Sequence, residues 1–265
     1  MKSHMQLPHF LMRRFAHKIA LNNKDGKVVH KECVYCLDIK SKSISEADIS
    51  ELNVQEGYYV DEAERILGEV ESDFGNLVAE IKAHLKSGDE FFDLEPHEHT
   101  IKKFFYMAMS RSKAMVDKTI ANSIFGELYP EVFNPSGIVM ASEMLYKDTF
   151  LTNFQAMVAI SSEKNFVMPK TCWYWGGMDT PYGPQPILTL PIMPTVAVVL
   201  IKKELKEAIR DNGYPNILKV DAATIKNANN FALLHEMRSD CEFLICARED
   251  ELRNLKEALE IRNGQ

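Results

Sequence analysis

Between Asp61 and Gly88 the apolar residues Ala63, Ile66, Leu67, Val70, Phe74, Leu77, Val78, Ile81 and Leu85 recur at the spacing of one helical face. Asp61 stands where a cap is expected, and Gly88 follows the last turn. Glu62 and Glu64 open the segment and Lys82 and Lys86 close it, the arrangement a helix dipole favours. A chain with this segment must provide a layer against which its stripe is buried.

Two further stretches carry the same period. Ile101, Phe104, Phe105, Ala108, Ser112, Met115, Val116 and Thr119 predict a helix over 96–124, with Gly126 beyond its end. Leu145, Phe150, Phe154, Met157 and Val158 predict a third over 135–160. Three long helices in series predict an antiparallel helical layer.

The remainder reads as strands and short helices. Asp25-Gly26 is a hairpin signal, with β-formers at 28–29 and 33–39 on its far side. A polar connection over 41–49 and a short strand over 57–60 precede the first helix. Strands are expected at 165–168, 188–190, 196–201 and 242–247, and helices at 203–211, 222–236 and 249–261. Residues 169–186 read as a long loop around Trp173-Tyr174-Trp175-Gly176-Gly177. The class expected is α+β, a mainly antiparallel sheet packed against a layer of long helices. At 265 residues the chain buries about three quarters of its unfolded surface without a metal or disulfide staple. With no repeat or low-complexity linker, residues 1–265 are expected to form a single compact domain.

Composition narrows the function classes. A net charge of -7 gives no support to nucleic-acid binding, and the one basic cluster, Arg13, Arg14, His17 and Lys18, reads as a solvated edge. Five scattered cysteines do not form a secreted disulfide framework. Residues 1–11 lack a signal-peptide core, and no apolar run reaches the length of a membrane span. A soluble, cytoplasmic protein is expected. The chain has no Gly-x-Gly-x-x-Gly, no Walker-type Gly-Lys-Ser/Thr and no Gly-x-Ser-x-Gly elbow. Cys33-Val34-Tyr35-Cys36 reads as strand, where residues three apart face opposite ways, contrary to a zinc knuckle. His97-Glu98-His99 lacks the spacing that puts two imidazoles on one helical face.

The opening from His4 through Pro8 to Phe15, with histidine, proline, an aromatic-aliphatic stretch, basic residues and Phe, resembles the bacterial domain-of-unknown-function family 4238. Further pieces follow in the family's order. Tyr58-Tyr59 precedes a helix bearing Val70-Glu71, Arg111 lies on the next helix, Pro191-Ile192-Met193-Pro194 leads into a Val-rich strand, and residues 227–232 precede the last strand. The resemblance implies no established activity. The sequence departs from the pattern where members carry Ser-Asp-x-Pro: here Pro169-Lys170-Thr171 stands, and the nearest substitute is Asp179-Thr180-Pro181.

Helical arithmetic puts Glu71 and Arg111 at the margins of their apolar stripes. There they form either a salt bridge between packed helices or a site, with Glu71 as metal ligand or general base and Arg111 as phosphate clamp. His4 is either an exposed terminal residue or an acid, base or ligand. Three readings stay open. One is a metal-dependent hydrolase, such as a nuclease, in which His4, Glu71, Arg111 and Asp179 converge and Glu71 and Asp179 hold a divalent metal. Another is a non-catalytic module that grips a peptide, protein or nucleobase with Trp173, Tyr174 and Trp175. A self-associating scaffold is the third.

Overall fold

The computed structural model describes residues 2–22, 28–88, 92–112, 116–117, 134–180, 183–211, 217–238 and 242–263. The amphipathic stretch forms α2 (Asp61–Ser87), 27 residues and about 40 Å long. Its acidic first turn follows Val60, which occupies the cap position in place of Asp61, and Gly88 closes it with a left-handed φ of 81°. Glycine enters that region without the steric cost other residues meet. Helix α1 (His9–Phe15) precedes it, and α3 (Glu98–Ser110) and α4 (Pro135–Leu145) pack on it and on each other as the expected helical layer.

Helix α3 ends sooner than its period suggested. Residue 111 is already its C-cap, residues 116–117 are helical, and the rest of 113–133 lies outside the described residues. The third helix is corrected more deeply. After α4 the chain turns through two 3-10 segments, Tyr146–Asp148 and Phe150–Asn153, and then forms strand β6 (Phe154–Ser161). Nearly every residue of β6 is buried, so no polar alternation betrayed the strand.

In chain order the preceding strands are β1 (Lys2–His4), β2 (His17–Asn22), β3 (Val28–Asp38), β4 (Ser43–Asp48) and β5 (Val54–Glu56). The polar connection thus contains a strand, and the short strand sits at 54–56 in place of 57–60. Asp25-Gly26 lies outside the described residues, although β2 and β3 on either side pair antiparallel. After β6 come β7 (Met168–Pro169), β8 (Tyr174–Thr180), β9 (Gly183–Met193), β10 (Val196–Lys202), α5 (Lys203–Asp211), β11 (Ile217–Val220), α6 (Ala222–Arg238), β12 (Phe243–Cys246) and α7 (Glu249–Asn263). The long loop over 169–186 is corrected to a turn followed by the β8–β9 hairpin, in which Trp175 pairs with Leu188.

One sheet has the order β11-β6-β10-β9-β8 and is antiparallel except for β11 on β6. The other runs β2-β3-β12-β7, with β4 on β3; β1 and β5 form a two-stranded ribbon. Alternation along β10 shows how the layers meet. Val196, Val198 and Leu200 join the main core with α2 and α3, whereas Ala197, Val199 and Ile201 pack with Leu205 of α5 and Ile225 of α6. The β3–β12 sheet is likewise covered, by α7 residues Leu252, Leu255 and Leu259 on one face. Both sheets therefore separate helical layers, giving an α+β fold with mostly antiparallel pairing. Cys33, Cys36, Cys172 and Cys246 are free thiols. Among the described residues no helix is long and apolar enough to cross a membrane.

Candidate functional site

The segment before α1 is fixed by a set of polar contacts. Its strand β1 pairs with β5, His4 opposite Val54, and the Met5 N–H donates to the Asn53 carbonyl at 3.0 Å. Asn53 has a left-handed φ of 58°, and its carboxamide oxygen, turned toward the segment, accepts the Leu7 and Gln6 amides at 2.6 and 2.9 Å. The Met5 carbonyl receives the Tyr59 hydroxyl at 2.7 Å and Arg111 Nε at 3.1 Å. Arg111 Nη1 donates to Glu71 Oε1 at 2.5 Å, and its guanidinium lies 5.8 Å from the centre of the Tyr59 ring.

Arg111 is 4% exposed and Glu71 25%. Burial alone would depress the guanidinium, but the adjacent Glu71 charge outweighs it and holds Arg111 protonated. Burial also pushes the Tyr59 hydroxyl up to about 12, keeping it a donor. Among the described residues, the His9 imidazole lies within electrostatic reach of Glu71 and is lowered by burial and by Arg13. His4 contributes backbone to β1, and its side chain lies outside the described residues.

A second polar group surrounds the turn between β7 and β8. The Cys172 N–H donates to the Pro169 carbonyl at 2.8 Å, and Cys172 adopts a φ of 61°, a strained region for a residue with a Cβ. Its buried thiol is pushed up by desolvation and lies in the field of Arg111, Glu71 and Glu236. Glu236, fully buried on α6, accepts the Thr171 N–H at 3.2 Å and its hydroxyl at 3.0 Å, both on Oε1. Oε2 has no partner among the described residues, and burial raises the carboxyl to about 8. The neighbouring His235 is driven down to about 4 by burial and packs edge-on to Trp173 at 4.7 Å. So the turn where Ser-Asp-x-Pro was expected does meet a buried acid, supplied by α6 and not by the turn itself.

Asp179 stands opposite Pro184 near the hairpin tip, five residues and roughly 17 Å along β8 from Tyr174. Its side chain lies outside the described residues. The structure thus brings Glu71 and Arg111 together, with neither side chain of His4 nor Asp179 described beside them. Among the described residues no three His, Cys, Asp or Glu side chains gather as a metal centre requires.

Within the aromatic triplet, Tyr174 and Trp175 face opposite sides of β8, which Trp173 precedes. Trp173 and Tyr174 are core residues, whereas Trp175 is 38% exposed. Its ring stacks on Phe150 with centroids 5.9 Å apart and planes at 26°, and meets Phe154 edge-on at 6.3 Å. Phe150 is 46% exposed, and Met144 and Leu145 at the end of α4 are 80% and 55% exposed. Phe150 was missed as a surface residue because its spacing fits a buried helical stripe; its exposure follows from the chain leaving the helix at Tyr146.

Compared with known proteins, residues 6–134 match the model of a family described as "Protein of unknown function (DUF4238)". No curated protein and no solved structure matches the chain.

Proposed function

Residues 6–134 of this chain match the DUF4238 family of proteins of unknown function, and we propose that the chain is a non-catalytic binding module whose Phe150–Trp175 platform grips an apolar segment of a partner protein. The observation that carries this is the stacked, solvent-facing pair of rings, with exposed Met144 and Leu145 a few residues before Phe150 in the chain. Isolated exposed apolar residues are ordinary, but a stacked aromatic pair facing solvent has the make-up of an interface centre. The platform lies outside the matched stretch, so it is a property of this chain's own geometry.

A net charge of -7 favours a protein segment over a nucleobase with its phosphates. The hydrolase alternative draws less support. It needs Glu71 to ligate a metal or take a proton, and that carboxylate is engaged by Arg111. The test is a random peptide library panned on the full chain and on its Trp175→Ser and Phe150→Ser variants. Selected peptides are expected to carry spaced aromatic or aliphatic residues, to weaken at least about tenfold on either variant, and to bind Glu71→Gln unchanged. Peptides indifferent to both platform variants, or no selection above background, would overturn the proposal.

A further inference from the structure

Helices α6 and α7 leave between them a cleft of about 560 Å³, within the range of small-molecule sites. It is independent of the aromatic platform, and charged and amide side chains share its lining with aliphatic ones such as Leu255, Ala258 and Ile261. Among its lining residues is Glu251, in the first turn of α7 and only 6% exposed. Its two contacts both fall on Oε1 and both are long, the Asn165 N–H at 3.4 Å and Lys164 Nζ at 3.6 Å. Oε2 takes no bond among the described residues. The two long contacts leave acceptor capacity on the carboxylate, because each oxygen can accept two donors.

The wall beside it is rigid. Asn229 is buried on α6, accepts the Val167 N–H at 2.9 Å and donates to the Asn165 carbonyl at 2.9 Å. One turn earlier on the same helix face, Lys226 lines the cleft, exposed and paired with no carboxylate among the described residues. Asn254 adds a carboxamide from the facing helix.

Charge selects the occupant. A simple cation would meet Lys164 and Lys226, and a simple anion would meet Glu251 and Glu257, so neither is matched by the whole lining. We propose that the α6–α7 cleft binds a small zwitterion of the free amino-acid class, its ammonium on Glu251 and its carboxylate on Lys226. The ammonium supplies the donors Oε2 lacks, and the flexible lysine closes over the other end. Asn254 provides both a donor and an acceptor for the middle of the ligand.

Isothermal titration of the full chain with each standard amino acid, with ethylamine and with acetate tests this. At least one amino acid is expected to bind with a Kd of about 1 mM or tighter. Binding should fall at least about tenfold in Glu251→Gln and in Lys226→Glu, and ethylamine and acetate should each bind at least about tenfold more weakly. Lys226 is exposed, so Lys226→Glu remains a valid arm even if Glu251→Gln fails to fold. No binding by any amino acid, affinity unchanged in Lys226→Glu, or equal binding of ethylamine or acetate would each overturn the assignment.

Discussion

Arg111 and Tyr59 donate to one acceptor, the carbonyl of Met5, from 3.1 and 2.7 Å. Three stretches remote in sequence thereby meet: the N-terminal segment, α2 with the residues that enter it, and the end of α3. The Glu71 carboxylate balances the guanidinium, which in turn satisfies a backbone oxygen. Arg111 is well suited to this, since its forked donors serve two acceptors at once and its charge persists when buried.

Removing one member of the pair should therefore be costly. Glu71→Ala is expected to lower unfolding free energy by about 2–4 kcal/mol, toward the low end because Glu71 is a quarter exposed. Arg111→Ala should cost at least as much, since the Met5 carbonyl loses a donor as well. Replacing both by methionine should recover part of the loss. Urea denaturation with matched m-values checks this, and single-variant losses under about 0.5 kcal/mol would show the pair to be idle.

How far this arrangement was legible depends on the kind of signal. Helix α2 could be read almost to the residue, because its period, charged turns and terminal glycine agree. Glu71 and Arg111 were legible as stripe-edge residues of opposite charge. That they also hold Met5 was not, since a backbone carbonyl leaves no trace in composition. Strand β6 was misread because both its faces are buried, which removes the alternation that distinguishes strand from helix. Glu236 was invisible for another reason: its carboxylate serves the turn at Thr171, 65 positions away.

His235 and Glu236 give opposite pH dependences from one cause, burial. Glu236 titrates at about 8 when folded against an ordinary 4.5, so the folded chain holds a proton that the unfolded chain releases, and stability falls as pH rises through that window. His235 titrates at about 4 against 6.5, so the folded chain resists protonation, and stability falls as pH drops through that window. Between pH 4.5 and 6.5 the two slopes oppose each other. From pH 6.5 to 8 Glu236 acts alone, at up to about 1.4 kcal/mol per pH unit. Glu236→Gln keeps a neutral acceptor for Thr171 and should remove that decline, becoming more stable than wild type near pH 8. Urea midpoints for both proteins across this range decide it; parallel curves would mean that Glu236 is already ionised in the folded state at neutral pH.

Trp173 and Trp175 stand two residues apart yet should answer mutation very differently. Trp173 is buried against His235, and Trp173→Ala should cost about 3–5 kcal/mol as a large side chain lost from a packed interior. Trp175 keeps over a third of its surface in water and leans on Phe150, itself exposed, so Trp175→Ala should cost under about 1 kcal/mol. The chain has two tryptophans, which makes the contrast visible in fluorescence without denaturation. In Trp175→Phe the remaining indole should emit at short wavelength and resist acrylamide. In Trp173→Phe it should emit at longer wavelength and be quenched readily. Equal quenching in the two variants would mean that Trp175 is covered in solution, and the platform would then be part of the core rather than a surface for a partner.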